Sequence, residues 1–100
     1  MPVFFLAEIE VFNIEMYHAY IEKASHIIRQ YGGEYIFRSD HIVPVSGNWA
    51  PRRLVMIQFK SKADIQRCFG SKEYRQIKYL REQSTESRSV IIDEDEDANQ

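Results

Sequence analysis

Residues 46–59 read SGNWAPRRLVMIQF. The first part is turn chemistry, since Gly47, Asn48 and Pro51 favour conformations that end regular structure. The second part predicts a strand: Val55, Ile57 and Phe59 fall on one side of an extended chain, and Leu54, Met56 and Gln58 on the other. Residues 3–11, VFFLAEIEV, repeat the pattern, with Phe5, Ala7, Ile9 and Val11 opposed to Phe4, Leu6, Glu8 and Glu10. The wholly apolar registers predict packing against helices. The opposite registers still carry Phe4, Leu6, Leu54 and Met56 side by side, which a solvated sheet face does not normally do. No helix remains to cover them, so a second copy of the chain is the expected cover and a homodimer the expected assembly.

The rest of the chain fits around these two strands. Asn13 caps a helix, IEMYHAYIEKASHIIRQY, in which Tyr17, Ile21, Ala24, Ile28 and Tyr31 recur at helical spacing, and Gly32 and Gly33 end it. EYIFRS and HIVPV read as one interrupted second strand, with Pro44 confining its far end to a sheet edge. Ser61 caps KADIQRCF, Gly70 breaks it, Ser71 caps KEYRQIKYLREQST, and RSVIID at 88–93 forms the last strand. The order β-α-β-β-α-β, with the second helix split, predicts an α+β fold: a ferredoxin-like sandwich with the first and third strands central.

A chain of 100 residues allows one domain, expected over 1–92. Residues 93–97, DEDED, open an acidic segment over 93–100 that is expected to be disordered, because like charges oppose packing. Without it the chain holds 10 acidic against 13 basic residues. Hydrophobic residues at 44% and charged residues at 28% are ordinary globular composition, and no apolar run approaches the roughly 20 residues of a membrane span. The opening residues lack a basic stretch and carry Glu8 and Glu10, unlike a signal peptide. The single cysteine, Cys68, excludes an internal disulfide and a cysteine-built zinc site, and a cytoplasmic location is expected.

Four blocks, AEIEVFNIEMYHAYIEK, YGGEYIFR, GNWAPRRLVMIQF and SKEYRQIKYLREQST, together resemble the domain-of-unknown-function 1330 family, whose members are similar in fold to the dimeric α/β-barrel superfamily. The resemblance implies a homodimer whose two sheets form a barrel, with a pocket in each subunit between sheet and helices or at the barrel mouth. The superfamily includes cofactor-free monooxygenases, muconolactone isomerases and haem-degrading enzymes, while the family itself has no established reaction. The pattern is matched at Gly32, Gly33, Arg38, Gly47, Trp49, Pro51, Arg53, Phe59, Ser71, Tyr74 and Arg81. It is departed from after Arg38, where Ser39 and Asp40 stand in place of two glycines, which removes an anion-holding loop of glycine amides.

The candidate binding residues are Arg38, Trp49 and Arg53, expected to converge where the turn meets the sheet, together with Tyr74 from the family pattern. Paired guanidiniums suit a substrate carboxylate or enolate, or else they pair with Glu8, Glu10 or Asp40. Trp49 walls a pocket for a flat ligand or plugs the barrel end. Glu8 and His18 are the candidate catalytic residues: Glu8 as a general base with a raised pKa or as an ion-pair partner, His18 as a proton acceptor or a surface residue. No metal is expected, since His18, His26 and His41 lack chelating spacing, and no cofactor motif is present, since YGGEY lacks the further glycines of a dinucleotide loop. Nucleic acid is not expected either, because RRLVMIQF lacks the glycines and paired aromatics of an RNA-recognition strand. The expected ligand is a small, anionic, partly apolar molecule. It is either turned over by cofactor-free proton transfer, isomerisation or oxygenation, or held by a non-catalytic binding or regulatory dimer.

Overall fold

The structure, a computed structural model, describes residues 2–93. β1 (Val3–Val11) lies inside the sheet and pairs on both edges, and its β-branched and aromatic residues suit an extended chain covered on two sides. α1 (Ile14–Gln30) follows, its start fixed by the Asn13 side chain accepting from the Met16 N–H at 3.1 Å. β2 (Glu34–Ser39), β3 (Arg53–Phe59), α2 (Lys62–Phe69), α3 (Lys72–Ser84) and β4 (Thr85–Asp93) complete the chain. All pairings are antiparallel and the strand order is β2-β3-β1-β4. This is the ferredoxin-like α+β architecture, with the first and third strands in the middle as the alternation predicts.

Three boundaries differ from the sequence reading. HIVPV is not a strand: the β2–β3 ladder ends with Ser39 opposite Leu54, so residues past Ser39 have no neighbour to pair with, and Pro44 has no N–H to offer. β2 also contains an irregularity, Tyr35 lying opposite Ile57 and Phe37 opposite Met56. β4 starts at Thr85 rather than Arg88 and pairs with β1 along its whole length through Asp93, where the side chain meets Lys62 at 3.4 Å. Asp93 closes the strand, as RSVIID at 88–93 predicts, and residues 94–100, the rest of the expected acidic segment, lie outside the described residues.

No loop separates α3 from β4. Thr85 Oγ1 donates to the Arg81 carbonyl at 2.7 Å, and the Ser84 carbonyl accepts from the Phe12 N–H at 2.7 Å, tying the junction to the end of β1. On the helix side, Ala7, Ile9, Val55, Ile57 and Phe59 pack under Tyr17, Ala24, Ile28, Ile65, Cys68 and Leu80. The outer face is different: Phe37, Met56, Leu6 and Val90 stand in one register row across all four strands. Val90 is 55% exposed and Phe37 40%.

The packing is tightest where α1 turns into β2. A Cβ on Gly33 would lie 2.5 Å from Ile28 Cγ2 and 2.9 Å from the Phe59 ring, which is itself 1% exposed. Gly33→Ala is expected to lower the unfolding free energy by about 1–3 kcal/mol, the usual cost of overpacking, read as a shifted urea midpoint at constant slope. An unshifted midpoint would show that Ile28 and Phe59 yield without cost.

Candidate functional site

Between the sheet and its helices lies a cavity of about 370 Å³. It exists because the sheet presents small side chains there: Ala7 on β1, and Ser87 and Ser89 on β4, all face the helices. Phe5, Ile9, Val55 and Ile57 complete the floor, and Ile65 and Phe69 of α2 close one side. The Phe69 ring stacks on Phe5 with centroids 4.6 Å apart and meets Tyr74 edge to face at 4.9 Å.

The polar side chains come from three elements. α3 contributes Tyr74, Lys78 and Arg81, whose spacings of four and three residues put them on one helical stripe. α1 contributes Tyr17 and Tyr20, and the Tyr20 and Tyr74 hydroxyls are 2.7 Å apart in a buried hydrogen bond. Burial, reinforced by Tyr74, pushes the Tyr20 phenol far above its ordinary pKa, so it stays neutral and acts as a hydrogen-bonding group. β2 contributes Tyr35 and Arg38, the guanidinium lying 4.3 Å over the Tyr35 ring with Nη1 3.5 Å from Ser25 Oγ. Burial also raises the Tyr35 pKa. Arg81 Nη1 donates to Ser87 Oγ at 2.9 Å. Among the described residues, no Asp, Glu or His lines the cavity.

Of the residues singled out in the sequence, Arg38 and Tyr74 line this cavity. Arg53 stands behind its wall: Nε donates to the Tyr17 hydroxyl at 3.2 Å, and the side chain faces a neighbouring hollow of about 290 Å³ shared with His18, Asp40 and Arg52. His18 is exposed there. Trp49 and Glu8 lie on the outer sheet face, where the indole Nε1 donates to Glu8 Oε2 at 3.1 Å. The expected convergence of Arg38, Arg53 and Trp49 on one pocket beside Glu8 therefore does not occur, because the sheet separates the two pairs.

Of the two readings of Glu8, the ion-pair one describes its contacts, with Arg88 as the partner rather than Arg53 or a second subunit. Arg88, directly opposite on β4, hydrogen-bonds and ion-pairs with the carboxylate and holds it below the ordinary range, with Trp49 adding to the effect. Glu8 is thus a paired anion rather than a poised base. Cys68 is buried, and desolvation raises its thiol to about 11. Sequence reasoning missed Tyr20, Ser87 and Ser89 altogether, and Lys78, which is exposed, reaches the cavity edge as well. The 74, 78, 81 stripe was the available signal.

The fold and this chamber define a class: a ferredoxin-like α+β domain with an aromatic, cation-lined cavity between sheet and helices. The chain matches the domain of unknown function DUF1330 over residues 2–95 and belongs to that family. Among curated proteins, none matches the sequence. The fold is similar to that of RPA0582, a protein of unknown function from Rhodopseudomonas palustris, at 15% identity with a TM-score of 0.80 over 91% of this chain and 80% of that one. SnoaB, a cofactor-independent oxygenase from Streptomyces nogalater, superposes with a TM-score of 0.67 at 8% identity, covering 95% of this chain and 94% of that one. HapK from Hahella chejuensis gives 0.61 at 9% identity, covering 96% and 94%. At these identities the likeness is one of fold.

Because the folded pKa of Glu8 is depressed, the pair with Arg88 contributes stability above the ordinary glutamate pKa, and that contribution is lost as pH falls through the folded value. Wild type and Glu8→Gln are expected to melt apart near pH 7 and to draw together as pH falls through the folded value, below the ordinary glutamate range. A gap of equal size above and below that value would assign the role of Glu8 to shape rather than charge.

Proposed function

We propose that this protein binds a small, anionic, partly apolar molecule in the cavity between its sheet and helices, as one half of a homodimer joined outer face to outer face. One observation carries the ligand class: among the described residues, Arg38, Lys78 and Arg81 line the cavity and no carboxylate does, while the walls are aromatic and aliphatic. Cations that line a cavity without counter-charge favour an anion in their midst, and apolar walls favour one with a hydrocarbon body. A volume near 370 Å³ suits a small organic molecule.

The same lining bears on catalysis. The candidate bases Glu8 and His18 are outside the cavity, and burial pushes the Tyr20 and Tyr35 phenols further from ionisation, which makes these two donors. Binding, with hydrogen-bond donation to a ligand oxygen, is the reading this arrangement supports best. Cofactor-free oxygenation, the activity that SnoaB's description gives, requires in this chain a ligand acidic enough to ionise without a carboxylate beside it. The homodimer rests on the apolar row Phe37–Met56–Leu6–Val90, flanked by Phe4, Leu54 and Ile92, which a two-fold packing of sheets buries twice. Glu8 and Arg88 enter that interface already paired, which limits the cost of covering them.

Two measurements test the reading. In a thermal-shift screen of small organic acids and their neutral amides, the acids are expected to raise the melting temperature more, and Ser89→Trp, which fills the cavity from β4, to remove the effect. Turnover of a bound hit separates an enzyme from a binder. For the dimer, Leu54→Asp is expected to give a monomer by light scattering, since an unpaired charge in an interface costs several kcal/mol. A wild-type monomer at micromolar concentration would overturn the face-to-face assembly.

A further inference from the structure

Arg81 sits at the α3–β4 junction, and its guanidinium is incompletely satisfied in a way that specifies a partner. Nη1 is committed to Ser87 Oγ at 2.9 Å, which fixes the plane of the group against β4. Its Nε, among the described residues, is the buried side-chain polar atom without a hydrogen-bond partner. Nη1 lies on the Cδ side of a guanidinium, so Nε–H and the adjacent Nη2–H form the opposite edge, the fork that receives a carboxylate through two parallel hydrogen bonds.

No carboxylate of the described chain answers this fork. The ion pairs join Glu8 to Arg88, Asp64 to Arg67, Asp93 to Lys62 and Asp40 to His41. The cavity lining supplies no acid either. Arg38, by comparison, already rests on the Tyr35 ring. The positive charge of Arg81 is felt at the Tyr20 phenol. The Tyr20 and Tyr74 hydroxyls share one hydrogen between them, which leaves one phenolic O–H to donate elsewhere. Phe69 and Phe5, stacked at 4.6 Å, offer a flat apolar surface in the same chamber.

We infer that the cavity's ligand is a carboxylate with a flat apolar body, its carboxylate received side-on by the Nε edge of Arg81 and its body laid against Phe69 and Phe5. This rests on the cavity being the ligand site, and it adds the functional group recognised and the residue that recognises it. Nε is buried in this structure, so receiving the carboxylate requires the guanidinium to leave its seat on Ser87 and turn its Nε edge into the chamber. The remaining phenolic hydrogen of the Tyr20–Tyr74 pair serves the second oxygen.

The test uses 2-naphthoate and its uncharged isostere 2-naphthamide as probes, with affinities measured by calorimetry on wild type, Arg81→Lys, Arg81→Gln and Ser89→Trp. Naphthoate is expected to bind wild type at least about tenfold more tightly than naphthamide, and both Arg81 variants to lose at least about tenfold for naphthoate while keeping naphthamide affinity. The lysine variant retains the charge and lacks the fork, and the amide probe registers any general damage to the α3–β4 junction. Unchanged naphthoate binding in both Arg81 variants, or equal losses for both probes, overturns the role of Arg81. Should Ser89→Trp still abolish binding in that case, the cavity remains the ligand site and only the Arg81 inference falls. Naphthoate binding that survives Ser89→Trp, or a wild type that binds neither probe at millimolar concentration, overturns the cavity reading and this inference together.

Discussion

β1 pairs with β3 on one edge and β4 on the other, so its alternation governs both faces of the molecule at once. A one-residue slip would send Ala7 and Ile9 outward and bring Glu8 in beneath the helices. That error is guarded against twice. Burial of Ile9 and Val55 fixes the inner register, and the Glu8–Arg88 pair, two residues lying opposite each other, fixes the outer one. The core, the chamber and the apolar outer row all inherit their positions from this phase.

The chamber follows from what β1 and β4 lack on the inner face. Ala7, Ser87 and Ser89 fill little of the space beneath the helices, so the layer opens where larger residues would have closed it. Hydroxyls and guanidiniums on α1, α3 and β2 then occupy the rim of an otherwise apolar space. Such a layer gives up some hydrophobic stabilisation, and much of the remaining core lies at the Phe59 end, around Gly33, Ile28 and Phe69. The molecule is thus divided between a dense end and an open one.

Sequence reasoning reached the fold because β1, β3 and the helices carry clear periods and recognisable caps. It lost β4 at Thr85–Ser87, where the inward position holds serine because it faces a chamber rather than a core, so no apolar alternation marks the strand. It assigned HIVPV to β2 on propensity, although strand propensity without a neighbour to pair with forms no ladder. At the site, Arg38 and Tyr74 were legible as residue types and family pattern. The Tyr20–Tyr74 hydrogen bond was not, since it joins positions 54 apart that only the docking of α1 on α3 brings together. Arg53 shares the inward register of Val55 and Ile57 and so lies across the sheet from Glu8 by alternation alone, whereas grouping Arg38 with Trp49 and Glu8 failed for want of one fact about β2.

That fact is the irregularity at Ile36. Tyr35 and Arg38 are three residues apart, an odd separation that in a regular strand sends two side chains to opposite faces. The shift between Tyr35 and Phe37 takes Ile36 out of the pairing and changes the parity of everything after it, so Tyr35 and Arg38 both turn inward while Phe37 joins the outer row. The extra residue works as a reading-frame change written in the backbone: one strand serves the chamber with two polar groups and the outer face with an aromatic ring. A relative of this chain that lacked the insertion could keep every residue type in β2 and still place its arginine on the opposite face of the sheet, so shared residues in this strand imply a shared chamber only when the bulge is shared as well.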